Sequence, residues 1–428
     1  MRRTRQVIIF GSLFILVIFS GFVLADEFLA KIIRDDALFY DDVTEEAETD
    51  FASINIQEGL AIDEVYKLAE QNNIELKQAS YDLEQAESNF DEAKDLKNLE
   101  PTAQMPYIDS MGNLIMVVNP DQKLQMEVSK EIVYYQAKNG VEIAKKGVDL
   151  AKQNLQHKVT DLLLNYTKAD EALDLAKANH ERAEKLLEMT NAQYIQGLIA
   201  KSQVLDSEVA LSQAENGLKG AEVQYNIAKE DLLAAIGIED FGGLMIEKIT
   251  PDNNYLDIDA DNIEQVLEYA FAHRIDYLMQ KDQTNYEKKR YEIYKEHYTY
   301  YGNQKDKIRA QEIVYEKEKL NLLNSKRNIR SQLYKAVLGY NNAVEQLTSL
   351  QKNVAKAKES LRIAELRYDA GLGTSLDVIT SQVNLTQTEN QLLDGKYQIM
   401  TMKNNIETAF GGTIEEYQEF LSQTNTEE

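Results

Sequence analysis

Apolar positions in the middle of the chain recur in steps of four and three. One run is Leu155, Val159, Leu162, Tyr166, Ala169, Leu173, Ala176, His180, Ala183 and Leu187. A second, Ile329, Leu333, Ala336, Tyr340, Ala343, Leu347, Leu350, Val354, Ala357 and Leu361, keeps the same steps. A sustained period near 3.5 predicts a coiled-coil seam with a left-handed supercoil. Alanine at several seam positions lets neighbouring helices approach closely. Traced back to about Gln122, the first helix runs for roughly 70 residues, or about 105 Å at 1.5 Å per residue. Such a length suits a fibre, a spacer or a tube.

Both runs stop the same way. Tyr194-Ile195-Gln196-Gly197 and Tyr368-Asp369-Ala370-Gly371 each end in a glycine suited to a left-handed C-cap. A short apolar turn follows, and a second helix returns from near Ser202 to Ile236, or from a Thr374 or Ser375 cap to the residues before Gly411. Sliding the chain by 174 positions lays Tyr166 on Tyr340, Gly197 on Gly371, Val204 on Val378, Leu211 on Leu385 and Gly237 on Gly411. One long antiparallel hairpin is therefore present twice, and the fold is that unit plus its copy.

Each copy is preceded by a further helix, Ile62 to about Lys97 and Ile263 to about Tyr298. Their offset is 201, so the first copy holds 27 residues that the second lacks. This insert carries Pro101, Pro106 and Pro120, three of the four prolines, and Met105 to Val118 predicts two short strands around Met111-Gly112-Asn113. The other proline, Pro251, separates the repeats. The proline-free tracts 121–250 and 252–428 are free to be helical.

With 43% hydrophobic and 28% charged residues, the 428-residue chain suits a folded protein and is too polar for a polytopic membrane protein. The absence of cysteine excludes disulfides and thiolate metal sites. Arg2, Arg3 and Arg5 precede an uncharged run from Val7 to Ala25, which fits either a cleaved secretory signal or a retained membrane anchor. Both place the remainder outside the cytoplasm. That remainder has 43 basic against 72 acidic residues, a balance of −29, so nucleic acid is not an expected partner. The acidity serves solubility or lines a cation-favouring lumen. The expected organisation is 1–25 signal or anchor, 26–58 acidic tether, 59–250 first repeat with its insert at 98–127, 251–412 second repeat, and 413–428 acidic tail.

A tandem repeat of helix, long helix, Tyr-x-x-Gly turn and Gly-terminated return helix resembles the TolC family of outer-membrane efflux proteins. The openings Leu60-Ala61-Ile62-Asp63-Glu64, Asn72-Asn73-Ile74-Glu75-Leu76 and His273-Arg274-Ile275-Asp276 carry the likeness. The stretch from Arg367 through Gly371, Gly373, Thr374 and Asp377 to Ile379 is the most specific, and the resemblance spans about residues 59–412. It implies a mainly all-α fold in which tandem helical hairpins form an α-helical barrel, a coiled-coil tube, as a homotrimer. It also implies a passive conduit that meets an adaptor protein and an inner-membrane transporter. Carried over by position, the adaptor-docking tip comprises Gly197, Leu198, Ile199, Ala200, Gly371, Leu372, Gly373 and Thr374. The family narrows its lumen there with carboxylates. Asp377 matches the first; Thr380 stands at the second, and its repeat partner Asp206 is the candidate replacement. Crowded like charges there raise carboxyl pKa values and attract cations. Asp377 also has the spacing of a capping-box residue, a compatible role. Tyr194 and Tyr368 are expected to pack at the helix ends.

The second half lacks room for strands, running helix to helix through Tyr298, Tyr300, Tyr301, Gly302 and Asn303. One hairpin per subunit gives six strands in a trimer, below the roughly eight of the smallest barrels, so the β-barrel is reduced or missing. Tyr291, Tyr294, Tyr298, Tyr300 and Tyr301 suit a membrane-interfacial belt or packing against a neighbouring subunit. The four histidines are scattered, and His180 falls on the seam as a core residue. Asp257, Asp259 and Asp261 approach a calcium-loop spacing without its glycine, and Asp261 or Asn262 is better read as a helix cap. No cofactor is expected, and no nucleophile–base pattern points to an enzyme. The rival reading is a membrane-anchored coiled-coil spacer of the envelope without a conducting lumen.

Overall fold

The computed structural model describes residues 60–100, 104–108, 110–111, 113–238, 246–249, 263–298 and 305–424. The N-terminal segment, the acidic tether, Asp257, Asp259, Asp261, Asn262, Tyr300, Tyr301, Gly302 and Asn303 lie outside the described residues. The described residues all fall within one compact unit.

Two elongated hairpins dominate it. The first pairs α3 (Pro120–Ile195, 76 residues) with α4 (Lys201–Ile236, 36 residues). The second pairs α7 (Lys305–Asp369, 65 residues) with α8 (Ser375–Phe410, 36 residues). Helix α3 starts two residues before the expected position because Pro120 takes its first turn. A proline there loses no hydrogen bond, and the Asn119 side chain accepts from the Asp121 and Gln122 amides at 3.1 and 3.3 Å. The predicted seams are largely inside: Leu155, Val159, Tyr166 and Leu173 are buried on α3, and Ile329, Leu333, Tyr340, Leu347 and Leu361 on α7. His180 is only half-buried.

The insert holds β1 (Gln104–Ile108) and β2 (Leu114–Val118), antiparallel in the register Gln104↔Val118 to Ile108↔Leu114. Met105, Tyr107, Ile108, Leu114, Ile115, Met116 and Val117 are all exposed, so the ribbon presents apolar side chains on both faces.

The helices preceding the hairpins are each broken where the sequence predicts continuity. The first splits into α1 (Ile62–Asn72) and α2 (Ile74–Asn98). Asn73 is extended at the break, and its Oδ1 accepts from the Leu76 amide at 2.7 Å, capping α2. The second splits into α5 (Ile263–His273) and α6 (Ile275–Tyr298) around Arg274. Each break is pressed against the end of a return helix. Gly237 and Gly411, at φ 69° and 77°, terminate α4 and α8 in the left-handed region. A Cβ on Gly411 would lie 2.8 Å from the Arg274 Cα.

Core packing concentrates at these ends. Val65, Ala69, Leu163, Leu232 and Ile236 form one cluster, tied down by a parallel bridge between Leu60 and Ile246. Tyr269, Leu333, Tyr340, Ile406 and Phe410 form a larger one. Residues 413–428, expected as an acidic tail, contain α9 (Ile414–Thr424), whose Ile414 and Tyr417 are buried in the larger cluster. Glutamates on its outer face hide that apolar stripe in the composition. Tyr298 is buried with Val128 and Ile293, and Tyr291 stacks on Tyr315 at 6.1 Å, so these tyrosines pack within their own chain. Among the described residues no helix is long and apolar enough to cross a membrane.

Candidate functional site: the paired turns

Both Tyr-x-x-Gly turns are Schellman motifs. The Leu198 amide donates to the Gln193 carbonyl at 2.9 Å and the Gly197 amide to Tyr194 at 2.9 Å. In the second turn the Leu372 amide donates to Arg367 at 2.7 Å and the Gly371 amide to Tyr368 at 2.9 Å. Gly197 and Gly371, at φ 75° and 71°, supply the left-handed residue the motif requires. The motif normally tucks its next residue against the helix. Leu198 and Leu372 instead stand 69% and 74% exposed.

The turns lie side by side. Fifteen residues before Gly197, Arg182 reaches Glu389 at 3.2 Å on α8, and fifteen residues after Gly371, Thr386 donates to the Asn179 side chain at 2.7 Å. The Gln382 amide group donates to the Arg182 carbonyl at 3.4 Å. Leu186 of α3 shares an apolar cluster with Val354, Leu361, Tyr368, Val378 and Leu385 of the second hairpin. The seam pattern alone does not single out this polar layer. Its signal in the sequence is a second helical stripe beside the apolar seam, with Asn179 and Arg182 three residues apart and Gln382, Thr386 and Glu389 in steps of four and three.

The two turns differ at their starts. Thr374 caps α8 in a complete capping box: the Asp377 amide donates to its Oγ1 at 3.3 Å, and the Asp377 carboxylate accepts from its amide and hydroxyl at 2.8 Å each. The Thr374 amide, then its hydroxyl, hold the exposed Asp377 carboxyl below the usual range. Ala200, its repeat partner, offers α4 no side-chain cap. Asp206 is exposed on α4, while the Thr380 hydroxyl is turned back onto the Leu376 carbonyl at 2.7 Å. Burial, then the neighbouring Asp369 charge, push the Glu365 carboxyl up, with Arg182 opposing. Tyr368 is 2% exposed and Tyr194 43%, although they are repeat equivalents. Ile199 and Gly373 complete the turns.

Behind the turns a groove of about 450 Å³ opens between α3, α4 and α8; Asn179, Gln213, Gln382, Thr386 and Asp394 line it together with apolar Ile379, Val383 and Ala214. This lining offers hydrogen bonds and negative charge.

The two long helical hairpins lie side by side and carry exposed turns at one end. Residues 133–238 and 300–412 match the family model described as outer membrane efflux protein. The chain belongs to that family. Among solved structures it is similar to CusC at 14% identity and TM-score 0.67, with 82% of this chain and 92% of that one covered. It is likewise similar to the outer membrane protein VceC of Vibrio cholerae (14% identity, TM-score 0.65, 82% and 96% covered) and to the CmeC outer membrane channel of Campylobacter jejuni (12%, 0.64, 84% and 88%). At these identities the likeness is one of fold. No curated protein matches.

Proposed function

We propose that the chain is the conduit subunit of a trimeric export assembly in the cell envelope, passive itself and driven by an inner-membrane transporter through an adaptor. Family membership supports efflux. The observation that carries the finer reading is the pair of level Schellman turns with Leu198 and Leu372 held out of their own fold, an apolar rim ready for a helical adaptor. Gly197, Ile199, Ala200, Gly371, Gly373 and Thr374 shape that rim. Three copies of the four long helices surround a lumen, and Asp206 and Asp377 line its narrow end as a ring of six carboxylates that favours cations.

The opposite end departs from the family pattern. Strands of five residues reach about 17 Å, short of the roughly 30 Å hydrocarbon core. Among the described residues three copies supply six such strands, too few for a spanning barrel. Membrane attachment through the apolar run Val7–Ala25 is the alternative to a barrel.

Native mass and electron imaging of the full-length particle test the reading. Three chains around an axial channel are expected; a single chain, or a filled rod as an envelope spacer would give, overturns it. In producing cells, Leu198→Ser with Leu372→Ser should abolish export while leaving particle mass unchanged. Unaltered export would remove the docking role.

A further inference from the structure

The β1–β2 ribbon has no polar face. Its strands are antiparallel, so alternate residues point to opposite sides. Met105, Tyr107, Ile115 and Val117 make one face; Pro106, Ile108, Leu114 and Met116 make the other. All eight are exposed. A ribbon packed on protein by one face keeps polar residues on the other. Here water would meet apolar side chains on whichever face stayed open.

The ribbon's own chemistry limits where it can rest. Its edges are open, and the hydrocarbon core of a bilayer leaves unpaired backbone groups unsatisfied. The sequence between the strands, Asp109-Ser110-Met111-Gly112-Asn113, is mostly polar. Strands of five residues reach about 17 Å, so an upright ribbon would leave this segment inside the roughly 30 Å core. Pro106 has no N–H to exchange with Met116, so theirs is a non-bonded pair whose missing donor faces the free edge. A proline there blunts the edge against a further strand, including one from another copy. The boundary between headgroups and acyl chains meets every condition. Water and headgroups there satisfy the edges and the polar segment, and apolar side chains are immersed to a depth of about 5–10 Å.

The flanking helix ends supply matching charge. Residues 288–309 hold seven Lys and Arg against three Asp and Glu, in a chain whose balance is −26. They lie near the start of α3, where Tyr298 packs on Val128 and His297 meets Glu131 at 3.1 Å. Lys305 and Lys307 open α7, and Lys123 stands in the first turn of α3; all three are exposed. Cations at this level attract anionic headgroups. Thirty-four residues separate the apolar run 7–25 from Leu60. Fully extended they span about 115 Å, and α2, 25 residues long, rises about 37 Å towards the ribbon. A membrane that holds the apolar run can therefore also meet this end.

We propose that the ribbon lies in the headgroup–acyl boundary of a bilayer containing anionic phospholipid, immersed on both faces without crossing, with Lys123, Lys305 and Lys307 over the headgroups. This contact is a lipid foothold separate from the apolar run. It needs neither barrel nor lumen, so it holds for a conduit and a spacer alike.

The cysteine-free sequence allows single polarity-sensitive labels. Full-length I115C and M116C, labelled on opposite faces, and L198C at the far turn are diluted from detergent into preformed vesicles of phosphatidylcholine and phosphatidylglycerol. Both ribbon labels should shift to the blue, and a spin label high on the acyl chain should quench them more than one at its end. The L198C label should stay open to iodide. Ribbon labels equally open to iodide overturn the proposal. Stronger quenching from the chain end overturns the shallow placement in favour of a sheet that crosses the core. Shielding from iodide without quenching by either lipid means that protein covers the ribbon, and overturns it too. Omitting phosphatidylglycerol should lower the ratio of immersed to free ribbon about tenfold; an unchanged ratio overturns the role of the three lysines. Native mass of the same samples reads the trimer separately: a single chain with an immersed ribbon removes the trimer and supports the lipid contact.

Discussion

Gly237 and Asn72 occupy a space that admits no further atom. A Cβ on Gly237 would lie 2.7 Å from the Asn72 Cβ, and the Asn72 amide donates to the Ile236 carbonyl at 2.7 Å. The glycine has φ 69°, so a side chain there meets both steric overlap and an unfavourable backbone. Gly237→Ala should cost about 2–4 kcal/mol in denaturant unfolding, combining left-handed strain with overpacking. Gly197, also left-handed, has open space where a methyl group would project, with nothing within 4 Å. Its alanine variant should lose only about 1–2 kcal/mol. Equal losses would contradict the close approach.

Glu389 is the hinge of the cross-repeat polar layer. Its side chain is 11% exposed and faces Arg182 at 3.2 Å, with Lys358 at 3.7 Å. Glu389→Ala should cost about 1.5–3 kcal/mol, the range for a charged hydrogen bond whose partner stays half-buried. Thermal unfolding of variant and parent reads it directly.

The break between α5 and α6 carries a pH signature. Burial pulls the Asp276 carboxyl up, but the Arg274 guanidinium at 2.6 Å and the Tyr277 amide more than reverse this, leaving it below its ordinary value. A carboxyl depressed in the folded state adds stability that is complete above the unfolded pKa, near about 4, and is lost as pH falls through the folded value. Acid unfolding should therefore be less steep below about pH 4 in Asp276→Asn than in the parent.

Helix α4 starts with an avoidable weakness. Thr374 caps α8, whereas Ala200 leaves the α4 amides without a side-chain acceptor. Ala200→Ser would complete a Ser-x-x-Gln box with Gln203. A gain of about 0.5–1 kcal/mol is expected, and Thr374→Ala should lose a similar amount. If neither change shifts the denaturant midpoint, the caps do not limit stability.

Much of this architecture is legible in the sequence because heptads, glycine stops and the duplication are local signals. The seam from Leu155 to Leu187 foretells α3, and Gly197 and Gly371 mark both turns. The strand pair forms around Met111 as the insert predicts. What escapes depends on contacts distant in sequence. Asn73 breaks a helix whose period runs on uninterrupted, because Asn72 is needed at the end of α4. Helix α9 hides behind its glutamates, since only Tyr269 and Phe410 reveal its buried stripe. Asn179, Arg182, Gln382, Thr386 and Glu389 look like solvated surface until α3 and α8 are juxtaposed. Tyr194 and Tyr368 are identical letters in identical motifs, and only their surroundings separate them.

The two return helices have the same length, 36 residues, and each stops at a left-handed glycine. Equal arms anchored at a common waist bring both turns of a polypeptide to one plane. Under the proposed docking role, a partner arriving at that plane would meet two nearly equivalent footholds on each chain. Where Ala200 stands against Thr374, the two kinds of foothold differ, and a visitor sensitive to that difference would sort them into alternating classes.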